Sequence, residues 1–281
     1  MLNEKIIAFI GPGVMAEAML VGLLKKKLSD PKNILVSGPI VKRGEALKEK
    51  FGVVPFTDNA QAARKADVVI LSIKPQRLEN VLKGLNGVIK NNAFVLSIVA
   101  GAPISKITRL SGCKKVVRCM PNTPAQIGEG ITVWTSSDEV SNKQRDIARI
   151  ILNAFGKEIY VEEEDFLDKA TALSGTGPAY AYLFMEAMVD AGVHLGFSRR
   201  VSERLVIETL RGAVDYYDNA LEPTKHLATL RNQVTSPGGT SAEALYYLEK
   251  AGFRTAISRA IWAAYQRSKE LGQDAKSRPP D

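Results

Sequence analysis

The chain has 281 residues, of which 45% are hydrophobic and 24% charged, so it can bury a core, and intrinsic disorder and fibrous architectures are excluded. Its net charge of +8 is uneven: residues 1–150 carry 23 basic and 12 acidic side chains, whereas residues 151–281 carry 15 and 18. The length and this asymmetry between the halves predict two domains.

The small numbers of cysteines and histidines argue against disulfide-rich and metal-binding proteins. Cys113 and Cys119 are too few for a disulfide scaffold or a four-thiolate metal centre, and His194 and His226 show no metal-ligand spacing. No G-x-S-x-G sequence offers the nucleophile of an acyl-transfer enzyme. We therefore predict no metal site.

The apolar runs argue against export and against membrane insertion. The N-terminal run, residues 6–10, is too short for a signal-peptide core, and no stretch approaches the about 20 apolar residues of a membrane span. We expect a soluble, cytoplasmic protein with no membrane partner.

The first half alternates short apolar runs with amphipathic segments. Strands are predicted over residues 5–10, 33–37, 67–73, 93–100 and 115–119, and helices over residues 14–27, 42–51 and 76–89. The runs are apolar almost throughout, which is typical of strands buried on both faces. Repeated strand, helix and strand predict an α/β fold with a doubly wound parallel sheet. Residues 129–136 and 157–161 are predicted to add edge strands around a helix over residues 142–154.

The second half is helical after an acidic run at residues 162–165. Helices are predicted over residues 178–195, 199–219, 224–231, 242–251 and 253–271, followed by a polar tail at residues 277–281. We therefore predict a Rossmann-type domain over residues 1–161 and an all-α domain over residues 162–281.

A glycine-rich turn links the first predicted strand to the first helix. It reads Gly11-Pro12-Gly13-Val14-Met15-Ala16, a G-x-G-x-x-A pattern. Gly11 permits the tight turn, Gly13 lets the backbone approach a pyrophosphate, and Ala16 allows close helix packing. The phosphates would lie at the helix N-terminus. In this position the pattern predicts dinucleotide binding, with a plain strand-to-helix turn as the alternative.

The end of the second predicted strand bears on the choice of cofactor. NAD-specific proteins usually place a carboxylate there for the ribose 2′-hydroxyl, but this strand ends in Ser37 and Gly38. Lys42 and Arg43 follow, which favours a 2′-phosphate and hence NADPH, with NADH still possible. The alternative is that both side chains only begin a solvated helix.

Further residues of interest follow other predicted strands. Asn59 follows a short extended segment, Ser72-Ile73-Lys74-Pro75 closes one strand, and Ala100 ends the next. Because open α/β sheets bind ligands at the carboxyl ends of their strands, this shared placement favours a cofactor site. The predicted cofactor-binding residues are Ile10, Gly11, Pro12, Gly13, Val14, Met15, Ser37, Gly38, Asn59, Ser72, Ile73, Lys74, Pro75 and Ala100.

Two later segments carry polar groups in turns. Residues 118–124 (Arg-Cys-Met-Pro-Asn-Thr-Pro) form a stiff loop that suits a nicotinamide site or a structural turn, and Cys119 within it fits a buried apolar position. Residues 236–241 supply hydroxyls and backbone N–H groups just before a helix, an arrangement that binds anions such as carboxylates. N-capping by Thr240 or Ser241 is a compatible alternative.

These motifs resemble those of the pyrroline-5-carboxylate reductases. The shared segments span nearly the whole chain: Phe-Ile-Gly-x-Gly-x-Met-Ala at the start, Lys74-Pro75, residues 118–124, residues 173–180 (Leu-Ser-Gly-Thr-Gly-Pro-Ala-Tyr) and residues 234–241. The last two segments together are specific, because a generic Rossmann protein has no reason to carry both.

The resemblance implies an NAD(P)H-dependent reduction of 1-pyrroline-5-carboxylate, a cyclic imino acid, to L-proline. It also implies that the helical domain forms an interlocked homodimer, which can assemble into a ring of dimers. The implied substrate-binding residues are Thr176, Gln233, Val234, Gly238, Gly239, Thr240 and Ser241. Ser241, where the family usually has Thr, is the implied hydrogen-bond or proton donor, and Gln233 stands where Asn is frequent.

The chemistry agrees with the absence of a catalytic histidine motif. A protonated cyclic imine is already an electrophile, so its reduction needs orientation and charge complementarity but no metal and no strong general acid.

Two alternatives compete with this interpretation. A β-hydroxyacid dehydrogenase would need a helical lysine as base, for which Lys169 and Lys225 are the candidates, although neither lies in that family's usual context. A basic nucleic-acid surface would explain the charge of the first half, but its lysines and arginines are scattered and lack interleaved aromatic residues. We expect no nucleic-acid partner.

The predicted helix over residues 179–193 carries more apolar surface than a small domain can bury. Its apolar side chains include Tyr180, Leu183, Phe184, Ala187, Met188 and Ala191. This excess predicts an obligate homodimer.

Overall fold

The computed structural model describes Leu2, residues 4–219 and residues 226–272. Contacts divide the chain into two compact units, Met1–Pro178 with Ala263–Asp281, and Ala179–Trp262, which we call the sheet unit and the helical unit. These units are defined by packing alone. The domain boundary placed after residue 161, which separates functions, stays a prediction.

An eight-stranded sheet lies at the centre of the described part of the sheet unit. Its strands are β1 (Ile7–Ile10), β2 (Ile34–Ser37), β3 (Val54–Phe56), β4 (Val68–Leu71), β5 (Phe94–Ser97), β6 (Val116–Met120), β7 (Gly130–Ser136) and β8 (Gly156–Tyr160). They lie in the order β3-β2-β1-β4-β5-β6-β7-β8, and all neighbours are parallel except β6 and β7. Between β6 and β7 there is only a 3₁₀ turn, Thr123–Ile127, too short for a crossover, so the chain reverses there. The Rossmann-type fold class is confirmed, with one antiparallel pair.

Helices cover both faces of this sheet. They are α1 (Val14–Lys25), α2 (Val41–Phe51), α3 (Asn59–Lys65), α4 (Leu78–Leu85), α5 (Ile104–Ser111), α6 (Asn142–Asn153) and α7 (Phe166–Ala170). The apolar cluster on one face includes Met19, Leu47 and Ile151, from α1, α2 and α6. The cluster on the other face includes Ala63, Leu82 and Ile107, from α3, α4 and α5. The central strands are fully buried because they contribute side chains to both clusters.

The predicted strands and helices omit α3, α5 and the five-residue α7, and they include β3 only as the short extended segment before Asn59. β3 has three half-buried residues with Pro55 in the middle, which gives no apolar run. The helices α3 and α5 have seven and eight residues, too few for a clear helical period. The strand predicted over residues 93–100 ends at Ser97, and the chain then turns at Gly101, whose φ is 63°.

The remaining helices are α8 (Gly177–His194), α9 (Arg199–Asp218), α10 (Leu227–Gln233), α11 (Thr240–Lys250) and α12 (Phe253–Gly272). These five helices were expected, whereas α7 was not, and the predicted start at residue 224 and the tail at residues 277–281 lie outside the described residues. None of the helices in the described part of the chain is long and apolar enough to cross a membrane.

The helical unit buries few of its own apolar side chains. Among its described residues, Val189 and Val206 are the buried aliphatic ones. Its exposed large apolar side chains include Leu183, Leu195, Val214, Tyr216, Tyr246, Tyr247 and Trp262. Exposed apolar surface of this extent is typical of a protein–protein interface.

Candidate cofactor and substrate sites

The glycine-rich turn between β1 and α1 has a conformation that requires glycine at its first position. Gly11 has φ 95°, and its N–H donates to the Ser37 carbonyl at 2.8 Å. A Cβ at Gly11 would lie 2.8 Å from the Ser72 carbonyl oxygen and 2.6 Å from the Ile73 Cγ2 atom. The backbone therefore passes so close to the end of β4 that only glycine fits.

Gly13 has a different reason to be glycine. Its φ is −83°, which any residue adopts, and a Cβ built on it would meet nothing within 4 Å. The protein itself therefore does not need glycine here. Gly13 is the N-cap of α1 and has no side chain to accept a hydrogen bond, so the first N–H groups of the helix lack a capping acceptor. A pyrophosphate fits both observations.

The charge of Glu17, the acidic residue in the first turn of α1, is compensated by two cations. Glu17 accepts hydrogen bonds from Lys50 Nζ at 2.9 Å and from Arg43 Nη2 at 2.5 Å. These two bonds, that of Lys50 first, hold the pKa of the Glu17 carboxyl below its usual value. Glu17 therefore stays ionised but compensated, and it does not oppose an anion at the helix N-terminus.

A cavity of about 750 Å³ opens beside the turn. The segments that follow β1, β2, β3 and β4, the start of α3 and one side of α4 surround it. Its lining residues are Gly11, Gly38, Pro39, Thr57, Asp58, Asn59, Ala60, Ile73, Arg77, Asn80, Val81 and Gly84. A volume of this size is typical of small-molecule and cofactor sites.

The structure brings several predicted cofactor residues together around this cavity. Gly11, Gly38, Asn59 and Ile73 line it. Ser37 Oγ donates to Asn59 Oδ1 at 2.8 Å, which links the end of β2 to the start of α3. Ser72 Oγ donates to the Gly11 carbonyl at 2.8 Å, which ties β4 to the turn.

Other predicted cofactor residues lie elsewhere. Ile10 is buried in β1, Pro12 to Met15 form the turn and the start of α1, and Lys74 and Pro75 begin a 3₁₀ turn before α4. Ala100 lies in the turn after β5, outside the residues that line the cavity.

Arg43 lies across the turn rather than in the cavity. Its Nε donates to the Pro12 carbonyl at 2.9 Å, in addition to the ion pair with Glu17. Lys42 is exposed on α2. Neither side chain is among those that line the cavity, whereas Arg77, which the sequence interpretation does not single out, is.

The loop after β6 has a structural role. The Asn122 amide donates to the Ser174 carbonyl at 3.2 Å, and its oxygen accepts the Ile131 N–H at 3.0 Å. Cys119 is buried, as expected, and burial raises the pKa of its thiol, so it is no nucleophile.

Thr176 ends a single π-helical turn, Thr171–Gly175, in the sheet unit. Its N–H and its hydroxyl both donate to the Thr171 carbonyl at 2.8 Å. Because its own proton is used, the Thr176 hydroxyl has only lone pairs left for a ligand. Turns of this kind occur frequently at functional sites.

The predicted substrate loop lies in the helical unit between α10 and α11. Gln233 ends α10, Val234 is exposed, and Gly238 has φ 70°. A Cβ at Gly239 would lie 2.5 Å from Ser236 Oγ, so a larger residue there would displace the Ser236 side chain.

The cap of α11 differs from the expected one. Gly239, not Thr240 or Ser241, is the N-cap, and it makes no side-chain cap hydrogen bond. Thr240 and Ser241 are the first two helical residues. The N-terminal N–H groups of this helix are therefore free of a side-chain acceptor, as an anion site requires.

Lys169, one candidate base for a β-hydroxyacid dehydrogenase, forms an ion pair with Asp165. Its Nζ lies 2.7 Å from Asp165 Oδ2, and this hydrogen bond raises the pKa of Lys169. A lysine held protonated in this way is a poor base. Lys225, the other candidate, lies outside the described residues.

The mostly parallel sheet, the glycine turn at the start of α1 and the cavity at the strand ends define a dinucleotide-binding protein of the Rossmann type. Two family models match the chain: one described as pyrroline-5-carboxylate reductase dimerisation over residues 164–271, the other as NADP oxidoreductase, coenzyme F420-dependent, over residues 6–101. Curated pyrroline-5-carboxylate reductases from Synechocystis and Pseudomonas aeruginosa are 39% and 38% identical over 95% of this chain, covering 98% and 97% of their own lengths. The chain belongs to the pyrroline-5-carboxylate reductase family.

Solved structures of the family agree. The pyrroline carboxylate reductase of Plasmodium falciparum, determined with NADP bound, superposes with a TM-score of 0.88 at 31% identity over 97% of this chain and 100% of that one. The reductase of Coxiella burnetii gives a TM-score of 0.86 at 37% identity with the same coverage.

Proposed function

We propose that the carboxyl edge of the sheet holds the cofactor and that the start of α11 holds the substrate carboxylate. The chain is a pyrroline-5-carboxylate reductase, which catalyses the final step of proline biosynthesis, and its cofactor is NADP. When bound, NADPH supplies the hydride that converts the cyclic imine to proline. A single observation at Gly13 carries the assignment of the cofactor site. The space beside Gly13 is open although packing does not require glycine there, and the helix N-terminus at this position is uncapped.

The residues of the turn bind and orient the cofactor. The first N–H groups of α1 bind the pyrophosphate, and Gly13 leaves room for its approach. Arg43 retains Nη1, which has no partner among the described residues, and Lys42 is exposed one residue earlier on α2. We assign the 2′-phosphate to these two side chains.

Replacing Arg43 by alanine is expected to raise KM for NADPH about 10-fold, because a charge-assisted contact to the 2′-phosphate is lost, and KM for NADH by much less. Steady-state kinetics with both cofactors measure this. Lys48→Ala removes another cation from α2, one that pairs with Glu45, and serves as the matched control. An equal rise for the two cofactors would contradict the assignment.

The substrate site in the helical unit combines an anion site with a hydroxyl. The uncapped N–H groups at the start of α11 are suited to the substrate carboxylate, and Gly238, with its positive φ, lets the backbone turn tightly just before them. Ser241, the second residue of the helix, offers its hydroxyl to the ring nitrogen. Since the protonated imine is already electrophilic, orientation and this hydrogen bond are all that the side chains must supply.

Ser241→Ala is expected to lower kcat about 10- to 100-fold through loss of the hydrogen bond to the ring nitrogen, whereas Ser241→Thr, which keeps a hydroxyl, retains activity. NADPH oxidation at 340 nm measures both variants. The experiment includes 1-pyrroline, which lacks the carboxylate: it should be a poor substrate for the wild type and for both variants alike. Full activity of Ser241→Ala would contradict the role of the hydroxyl, and equal use of 1-pyrroline would contradict the carboxylate site.

The dimerisation domain makes the chain a homo-oligomer. We propose a dimer that buries the exposed apolar residues of the helical unit, such as Leu183, Tyr247 and Trp262, and that can assemble into a ring of dimers. The cytoplasmic location stays a prediction.

A further inference from the structure

We infer that Arg77 stacks its guanidinium on the adenine ring of the bound dinucleotide, so that it contributes to the affinity for NADPH and NADH equally. The inference rests on the proposed cofactor site. It assigns a binding role to a side chain that belongs to none of the sequence motifs described above.

The charge and partners of Arg77 distinguish it from other arginines near the strand ends. Of the described residues that line the cavity, it is the one cation. Its side chain is exposed and forms neither a hydrogen bond nor an ion pair with any described residue. Arg118, in contrast, is bound to two carboxylates, and Arg43, which pairs with Glu17, keeps only its Nη1 atom for a ligand. Arg77 is therefore available to a ligand.

The backbone of Arg77 is held firmly at the edge of the cavity. It ends the 3₁₀ turn Pro75–Arg77, its N–H donates to the Lys74 carbonyl at 2.9 Å, and the next residue, Leu78, is buried at the start of α4. The ordering that accompanies binding is therefore confined to the side chain of Arg77.

The shape and composition of the cavity suit a base rather than a phosphate. The phosphates belong at Gly13 and the ribose at the end of β2, so the base extends into the space between α3 and α4. The apolar surface there comes from Ile73, Val81 and Ala60. The one acid, Asp58, accepts the Ala60 N–H at 2.8 Å as the cap of α3. A planar guanidinium beside apolar walls is the arrangement that stacks on an aromatic ring.

The test measures binding of adenosine fragments, which needs no turnover. In calorimetric titrations, Arg77→Ala is expected to weaken the binding of adenosine 5′-monophosphate and of adenosine 2′,5′-bisphosphate by the same factor, about 10-fold. In steady-state kinetics it is expected to raise KM for NADPH and KM for NADH equally. Lys83→Ala, which removes a cation of α4 that pairs with Glu79 and lies outside the cavity lining, should change neither affinity. Binding of nicotinamide mononucleotide should be unaffected in both variants.

Two outcomes would overturn the inference. A loss confined to the 2′,5′-bisphosphate would place Arg77 on the 2′-phosphate, and unchanged affinities would leave it without a role in binding. Because the titrations use fragments, they decide this even if imine reduction itself were absent. A melting temperature equal to that of the wild type shows that the Arg77→Ala variant is folded.

Discussion

Replacing Arg118 by methionine is expected to lower the free energy of unfolding by about 3 kcal/mol, because it removes the buried cation shared by two partly buried carboxylates. The Arg118 side chain is 3% exposed, and it donates to Glu164 Oε1 at 2.9 Å and to Asp168 Oδ1 at 3.0 Å. Glu164 also accepts the Ile104 N–H at 2.8 Å, and Asp168 accepts the Ser268 hydroxyl at 2.7 Å. The network thus joins β6, α5, α7 and α12 within the sheet unit.

Urea denaturation at a fixed protein concentration measures this loss, since the stability of an oligomer depends on concentration. Arg267→Ala is the matched control: it breaks an exposed pair with Glu270 on α12 and should cost about 0.5 kcal/mol or less. A loss below about 1 kcal/mol for Arg118→Met would mean that Glu164 and Asp168 are better solvated than their partly buried positions indicate.

Gly13→Ala is expected to weaken NADPH binding about 100-fold while leaving the melting temperature unchanged. The added methyl group meets nothing in the protein but occupies the space that we assign to the pyrophosphate. Calorimetric titration with NADPH and a thermal melt without cofactor measure the two effects separately.

Gly11→Ala is the contrasting variant, because its added Cβ meets the Ser72 carbonyl and its φ of 95° is unfavourable for any side chain. It should lose cofactor affinity and also about 1–3 kcal/mol of stability. A Gly13→Ala protein that binds NADPH as tightly as the wild type would contradict the position assigned to the pyrophosphate.

The central strands and the glycine turn could be predicted from the sequence because their causes are local. Strands such as β1 and β4 are apolar at every position, which only burial on both faces explains. The turn at Gly11 needs a positive φ that glycine supplies. β3 could be predicted only as a short extended segment, because its three residues around Pro55 give no apolar run. Recognition of β3 as a strand would have identified Thr57 and Asp58, which follow it, as residues that line the cavity.

The contacts of charged side chains were beyond prediction because they join distant parts of the chain. Arg118 pairs with Asp168, 50 residues later, and Asp168 with Ser268, a further 100 residues along. The sequence places Arg43 near a 2′-phosphate, but its bond to Pro12 and its pair with Glu17 depend on how α1 and α2 pack. Arg77 carries no motif at all, and only the cavity identifies it.

The most direct test of the assigned reaction is a steady-state assay of the purified protein with 1-pyrroline-5-carboxylate and NADPH. We predict that NADPH is oxidised only when the imine is present and that L-proline forms in equal amount. The same assay with NADH compares the two cofactors. An enzyme that leaves the imine unreduced, but reduces NADP⁺ with a 3-hydroxyacid, would contradict the account.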